Sequence, residues 1–360
     1  MPKANMKKRV MIVVGSTGGH YFPGITLGEE IRELDASVEV VFAGERKIRN
    51  LEIWKRRGLV FKTLDVVKRP ERKFLFPFIL LRAVFVLIKN CLLMLRIKPD
   101  LVVGMGSYAS VSVGMAALLM KKSLIVHEQN LIPGLANRIL NFFGAPAAIT
   151  FKETARFLKN TIHTGLPLRK ELLFENRRPG DFGLLDGRTT VLVLGGSQGA
   201  MFINTLVLRS IAMLKEKQYQ FIHIAGKLDC ERVKSFYEKN RIKGLVIDFS
   251  FEIPTFMNIA DLAIARAGAG TLAELSFKGI PSILIPYRYG DGHQIYNARW
   301  AEKFGCIVLE EQNATPEKLV NDLSILEKDA EKRSELFQTA SIADTNGNLA
   351  KYCLKTMGKI

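Results

Sequence analysis

The run Arg9-Val-Met-Ile-Val-Val-Gly-Ser-Thr-Gly-Gly-His20 decides the fold. Its first half is apolar and β-branched, as a strand buried on both faces has to be, and its second half breaks into glycines that end the strand. Tyr21 to Leu34 then reads as a helix. A strand that ends in a glycine loop and feeds a helix is the opening unit of a doubly wound α/β sheet. The same order returns at Thr189-Thr-Val-Leu-Val-Leu-Gly-Gly-Ser-Gln-Gly199, ahead of a helix-compatible stretch from Ala200 to Lys217. Two openings of one kind predict two similar domains.

Further apolar runs alternate with helical patterns: Val38 to Ala43, Leu101 to Gly104, Ser123 to His127, Phe221 to Ala225, Leu245 to Phe249, Leu262 to Ala265 and Ser282 to Pro286. Alternation of this kind implies parallel sheets covered by helices on both faces. Gly165 and Pro167, in Thr164-Gly-Leu-Pro-Leu168, interrupt helix and strand alike, and a polar stretch follows to Gly187. The expected domains are therefore 1–163 and 164–340, with a C-terminal helix at about 341–360 packing back on the first and substrate lying between the two.

The 360 residues, 48% of them hydrophobic, suffice for two cores of ordinary size. Cys91, Cys230, Cys306 and Cys353 are scattered without a CxxC pair, and Met1 to Val10 carries charges and no long apolar stretch. These features predict a reducing, cytosolic setting without a signal peptide. The formal charge of +17 calls for an anionic partner, and nucleic acid, acidic lipid and phosphorylated substrates all qualify.

Gly15, Gly18 and Gly19 let backbone amides approach an oxygen-rich ligand, and the helix that follows adds its positive end. The loop fits a phosphate or sugar site; it also fits a tight turn with no ligand. A dinucleotide site fits less well, since GSTGG is not GxGxxG and the second strand is read as ending at Phe42-Ala43-Gly44 without a carboxylate for a ribose diol. His20 suits a base, or a donor to an anion. Gly104-Met-Gly-Ser-Tyr-Ala-Ser110 and His127-Glu-Gln-Asn130 place two more turns or polar clusters at strand ends, where such sheets bind ligands.

In the second half, Arg266-Ala-Gly-Ala-Gly-Thr-Leu-Ala-Glu274 follows a strand and enters a helix. Amides around Gly268 to Thr271 can hold a diphosphate, with Glu274 one turn on to accept from a ribose diol; a first-turn Glu stabilised by the helix dipole reads equally well. Ser197 and the loop Asp291-Gly-His-Gln-Ile-Tyr-Asn297 offer hydroxyl and amide contacts. No Asp-x-Asp occurs, and the histidines show no paired metal spacing. We therefore expect no metal and no cofactor, with helix ends, glycine-loop amides and Arg169 meeting the charge of a leaving diphosphate.

Taken in order from Gly15 to about Leu319, these stretches resemble the family of UDP-N-acetylglucosamine:muramyl-pentapeptide pyrophosphoryl-undecaprenol N-acetylglucosaminyltransferases, MurG. The motifs are Gly15-Ser-Thr-Gly-Gly-His20 with Phe22-Pro-Gly24, Gly104-Met-Gly106, His127-Glu-Gln-Asn130, Gly195-Gly-Ser-Gln-Gly-Ala200, Arg266-Ala-Gly268 through Glu274, and His293-Gln294 with Asn297-Ala298. The resemblance implies an α/β GT-B fold, two Rossmann-like domains with parallel sheets facing across a cleft, the first receiving a lipid acceptor and the second UDP-N-acetylglucosamine. It places Thr17, Gly18 and Gly19 by the donor sugar and acceptor phosphates, and Asn130 on the N-acetylglucosamine. Arg169 and Ser197 go to the diphosphate, Ala269, Gly270, Thr271 and Leu272 to the phosphates, Glu274 to the ribose, Gln294 to the sugar hydroxyls and Ser250 to uracil, with His293 also counted among the residues that bind UDP-N-acetylglucosamine. Gly18, Gly19, Gly104, Gly106, Ser107 and Tyr108 would meet the acceptor pyrophosphate. Ser16 and Gly270 depart from the family pattern, which puts the shape of both turns in question.

The implied reaction is inverting transfer to a 4-hydroxyl, making a β-1,4 bond and UDP. His20 is the first candidate base and Glu128 the second, with pyrophosphate binding the other role open to His20. Other implications are cell-wall synthesis and division proteins as partners, and a peripheral place on the cytoplasmic face of the membrane. Competing expectations are another GT-B glycolipid transferase and a basic nucleic-acid-binding protein, the latter opposed by the lack of any basic–aromatic array.

Phe74 to Leu95 is the most apolar stretch, yet Arg82, Lys89 and Asn90 interrupt it, too many polar groups for a spanning helix. Arg82, Lys89 and Arg96 recur by sevens and would form one basic stripe on an otherwise apolar helix. With Lys68, Arg69, Arg72 and Lys73 ahead of it, the segment suits shallow insertion among anionic headgroups through Phe76, Phe78, Arg82, Phe85 and Lys89; a helix buried against the sheet is the other reading.

Overall fold

The computed structural model describes residues 7–66, 76–174, 177–195, 200–214, 219–248, 253–289 and 292–359. The chain divides into two compact units, Met1–Pro167 with Asp344–Ile360, and Leu168–Ala343.

In the first unit the elements run β1 (Arg9–Val14), α1 (Gly18–Leu34), β2 (Glu39–Glu45), α2 (Glu52–Arg56), β3 (Val60–Leu64), α3 (Phe76–Ile97), β4 (Leu101–Gly104), α4 (Tyr108–Leu119), β5 (Ser123–Glu128), α5 (Leu135–Phe142), β6 (Ala147–Ile149), β7 (Thr161–His163) and the two-residue β8 (Leu166–Pro167). Seven strands form one sheet in the order β3-β2-β1-β4-β5-β6-β7, parallel at every pairing. Val10 to Val14 are wholly buried, which is why that stretch is continuously apolar. Chain order reverses between β1 and β4, so the loops after them, Gly15 to Thr17 and Met105 to Ser107, stand side by side at the topological switch point.

Helix α1 begins at Gly18, three residues before the expected Tyr21, because the two glycines themselves form its first turn under Thr17. Pro23 lies inside it. Being early in the helix, the proline forfeits at most one intrahelical bond. Gly24 and Gly28 let α1 lie close on the sheet: a methyl group on Gly24 would fall 2.6 Å from Val14 Cγ1, and one on Gly28 2.5 Å from Phe42 Cζ. Strand β2 runs on to Glu45, past the expected end at Gly44. A carboxylate therefore does stand at the tip of the second strand, and its absence is no argument against a dinucleotide; the GSTGG spacing remains one.

The second unit runs α6 (Glu171–Phe174), β9 (Thr189–Leu194), α7 (Met201–Ile211), β10 (Tyr219–Ile224), α8 (Cys230–Lys239), β11 (Gly244–Ile247), α9 (Ile253–Met257), β12 (Leu262–Ala265), α10 (Ala269–Lys278), β13 (Ser282–Leu284), α11 (His293–Glu302), β14 (Ile307–Val308), α12 (Pro316–Lys328) and α13 (Ala330–Thr339). Its six-stranded sheet has the order β11-β10-β9-β12-β13-β14, again parallel, with the switch point between β9 and β12. The last helix, α14 (Asn348–Thr356), belongs to the first unit and packs on α1, burying Leu349, Ala350, Cys353 and Leu354. Asp344 starts it by accepting from the backbone amides of Asn348 and Leu349, each at 2.9 Å.

Candidate active site

At the first switch point the β1–α1 and β4–α4 turns converge on His20. Thr17 Oγ1 lies 2.9 Å from His20 Nδ1. A methyl group on Gly15 would fall 2.6 Å from the same nitrogen and 2.9 Å from Ser107 Cβ, so only glycine leaves room for the ring. On the other turn, a methyl on Gly106 would meet His20 Nε2 at 3.3 Å. Gly106 has φ +74° and Ser107 φ +105°, a pair of left-handed conformations that turns the chain sharply into α4. The strain at Ser107 is held by packing, and residues so held cluster at functional sites. Thr17 and Gly19 are exposed, Gly18 is buried, Gly104 lies in the sheet, and Tyr108 is exposed at the start of α4.

The His127-Glu-Gln-Asn130 cluster sits at the end of β5, and the structure corrects the reading of Glu128 as a base. Its carboxylate is buried and accepts from the Asn130 amide at 2.9 Å, the Gly134 amide at 3.0 Å and Asn137 Nδ2 at 2.8 Å. Those bonds fix the Asn130–Gly134 loop and the start of α5, and they occupy the lone pairs a base would need. Asn137, whose Nδ2 donates to Glu128 and to the His127 carbonyl oxygen, is a site-building residue that sequence reading missed; an Asn on a helix near a loop carries no distinctive spacing. Asn130 is half-buried, with its Nδ2 3.3 Å from Glu128 Oε1.

At the second switch point Gly268 caps α10, so that Ala269, Gly270 and Thr271 form its first turn and Leu272 closes the helix by donating to the Gly268 carbonyl oxygen at 2.9 Å. A helix N-terminus presents amides of the kind that suits an anion. Gly270 lies in regular helix with open space where a side chain would stand, so a larger residue there would leave the turn's shape unaltered. Arg266 is buried behind the loop, donating to the Ile285 carbonyl oxygen at 2.9 Å and pairing with Glu311 at 2.6 Å. Asn297 Nδ2 holds the Ala267 carbonyl oxygen at 3.2 Å.

Arg169 and Glu274 were assigned to different parts of the ligand, yet here they pair with one another. Arg169 Nη2 lies 2.6 Å and Nε 2.7 Å from Glu274 Oε1, and both side chains are nearly buried. The stretch read as a loop from Asp291 to Asn297 is helical from His293 onward, because Gly292 at φ +66° turns the chain directly into α11. Gln294 Oε1 accepts from the Tyr287 amide at 3.0 Å. Ser197, Ser250 and Asp291 lie outside the described residues.

Sequence comparison agrees with this architecture. Residues 10–149 match the glycosyltransferase family 28 N-terminal domain and residues 190–350 its C-terminal domain. Over 89% of its length the chain is 36% identical to the UDP-N-acetylglucosamine–N-acetylmuramyl-(pentapeptide) pyrophosphoryl-undecaprenol N-acetylglucosamine transferase of Aquifex aeolicus, spanning 92% of that protein. The chain belongs to the MurG family. The Halothermothrix orenii protein of the same name is 34% identical over 92% of the chain and 94% of its own length. The crystal structure of Acinetobacter baumannii MurG superposes with a TM-score of 0.75 at 20% identity, covering 97% of this chain and 99% of that one, and the fold is GT-B. As a MurG-family chain it is a glycosyltransferase of peptidoglycan synthesis, and the nucleic-acid-binding alternative falls.

Helix α3 turns out to have two faces. Val86, Asn90, Met94 and Ile97 are buried, whereas Leu81, Phe85, Ile88, Leu92 and Leu95 are exposed, Leu81 by 72% and Phe85 by 57%. Arg82, Lys89 and Arg96 are exposed too, with Lys89 4.7 Å above the Phe85 ring and 2.8 Å from Asp65. Lys68, Arg69, Arg72, Lys73 and the side chains of Phe76 and Phe78 lie outside the described residues. Among the described residues no helix is long and apolar enough to cross a membrane.

Proposed function

We propose that the chain moves N-acetylglucosamine from UDP-N-acetylglucosamine to the 4-hydroxyl of an undecaprenyl-pyrophosphoryl muramyl-peptide, with inversion. The supporting observation is that each unit places a glycine turn and a helix N-terminus at its own switch point, one beside a histidine and one beside a carboxylate. In the second unit the amides of Ala269, Gly270 and Thr271 take the diphosphate, with Leu272 closing the turn behind them, and Glu274 takes the ribose, while Arg169, Ser197, Ser250, His293 and Gln294 complete the donor site. The first unit receives the acceptor, its pyrophosphate on Gly18, Gly19, Gly104, Gly106, Ser107 and Tyr108, with Thr17 and Asn130 toward the transferred sugar. His20 takes the proton of the attacking hydroxyl on Nε2, while Thr17 orients Nδ1.

The exposed apolar stripe of α3, flanked by Arg82, Lys89 and Arg96, rests on an anionic membrane at its cytoplasmic face, where a lipid-linked acceptor is found. Cell-wall synthesis and division proteins would be its neighbours there, tying the activity to cell shape and division. The deciding test incubates the protein with radiolabelled UDP-N-acetylglucosamine and a short-chain muramyl-peptide lipid. Label in a disaccharide lipid is expected, and in excess EDTA as well, since the sequence has no Asp-x-Asp. Transfer to other glycolipids alone would replace the acceptor, and complete, reversible loss on chelation would overturn the metal-independent part.

A further inference from the structure

Away from the switch point, the first unit holds a cavity of about 550 Å³ between the end of β7 and helix α14. Strand β7 is the edge of the sheet, three strands out from β4, so the cavity stands roughly 14 Å along the sheet from that switch point. Helix α14 is two-sided. Leu349, Ala350, Cys353 and Leu354 are buried, whereas Asn348, Lys351, Tyr352 and Lys355 line the cavity. Lys351 and Lys355 are four residues apart on one helix face, where like charges repel and weaken the helix. Neither has an ion pair or hydrogen bond among the described residues, and no carboxylate lines the cavity to offset them. Lys359, just past the same helix, by contrast reaches Asp35 at 3.2 Å. On the opposite wall His163 Nε2 lies 3.0 Å from the Thr150 carbonyl oxygen, which only accepts. Nδ1 is thus the ring nitrogen left for a ligand, and it donates once the ring is protonated.

We propose that this cavity is a second ligand site, for a soluble phosphomonoester with a small apolar or aromatic body, its phosphate held by Lys351, Lys355 and His163 and its body lying on Ile162 and Tyr352. Two ammonium groups and an imidazole offer more charge than one carboxylate neutralises. A phosphomonoester brings about −1.5 to −2 and three acceptor oxygens. The volume falls in the range of small-molecule sites, about 300–1,000 Å³. The source of the ligand follows from the two faces of the sheet. Met11, Val13 and Val41 pack with Met94 and Ile97 of α3, whereas Ile12, Val14 and Phe42 face Gly24 and Gly28 of α1. Side chains alternate across a strand, so α3 and α1 cover opposite faces, and α14 lies with α1. A membrane beneath α3, as proposed above, is on the far side, which leaves solution as the source.

Ile162 supplies a local reporter. In methyl spectra of the whole protein, with Ile162 assigned by Ile162→Val, phenyl phosphate added at constant ionic strength should shift the Ile162 methyl signal to saturation. In the double variant Lys351→Gln with Lys355→Gln the midpoint should rise at least about tenfold, since charge-assisted bonds are lost. Without ligand that variant should melt no earlier than wild type, because the like-charge pair does not stabilise the helix. No saturating shift in wild type, or the same midpoint in the folded variant, overturns the proposal. Should the variant fail to fold, phenol replaces it as the control on wild type: it has the ring without the phosphate, and an equal shift with phenol overturns the reading of a charged site. Vesicles of phosphatidylglycerol form the last arm. A response of Ile162 to vesicles and not to phenyl phosphate would make the ligand a lipid headgroup and overturn a soluble one.

Discussion

Glu274 meets two demands at once, holding Arg169 across a nearly buried ion pair and, in the proposed complex, a ribose diol. Glu274→Gln keeps the shape and removes the charge, so UDP binding should weaken by roughly 1.5–3 kcal/mol. Calorimetry with unchanged UDP affinity in a folded variant would place the nucleotide elsewhere. Two buried histidines make a second residue-scale prediction. Burial lowers His127 to about 4 and His223 to about 3, against 6.5 for an ordinary imidazole. Between those values the unfolded chain binds protons that the folded one does not, so stability is full above pH 6.5 and is lost as pH falls toward 4. Each group steepens the loss by up to about 1.4 kcal/mol per pH unit. Melting temperatures across that window check it, and a flat profile would contradict neutral buried rings. Much at this scale was hidden in the sequence. Glycine turns announce themselves by composition, whereas the Arg169–Glu274 pair joins residues 105 apart and the Glu128 cluster depends on which way a carboxylate points.

At the scale of elements the reading was clearest where burial is two-sided. Parallel strands covered on both faces write continuous apolar runs, and β4 and β12 fall at the expected Leu101–Gly104 and Leu262–Ala265. Element ends were less legible. Two glycines looked like loop and turned out to be the first turn of α1, and β2 gained Glu45, a charged residue that an apolar run does not include. Helix α3 packs one stripe inward and leaves another exposed, so the reading of a helix buried against the sheet holds for one of its faces only. Replacing Phe85, Ile88 and Leu92 by Ser touches only the exposed stripe, so the fold should persist. Each apolar side chain withdrawn from a membrane forfeits at most about 1.5–3 kcal/mol, and three together should lower binding to anionic vesicles by orders of magnitude. A folded triple variant that still cosediments like wild type would show that the lipid contact lies on another surface.

For the molecule as a whole, chain order matters as much as chemistry. The second unit interrupts the first, whose last helix arrives only after Ala343. Removing residues 344–360 should uncover the face of α1 that α14 covers and leave the second unit intact. Hydrogen exchange should show α1 losing protection while β9 and β12 keep theirs; equal loss in both units would mean that they fold as one. The same order bears on synthesis. On the ribosome α1 emerges ahead of the whole second unit, yet Leu349, Ala350, Cys353 and Leu354 emerge only after it. The nascent first unit therefore waits with an apolar flank open through the making of the entire second unit, and that interval is when a chaperone has the most to hold.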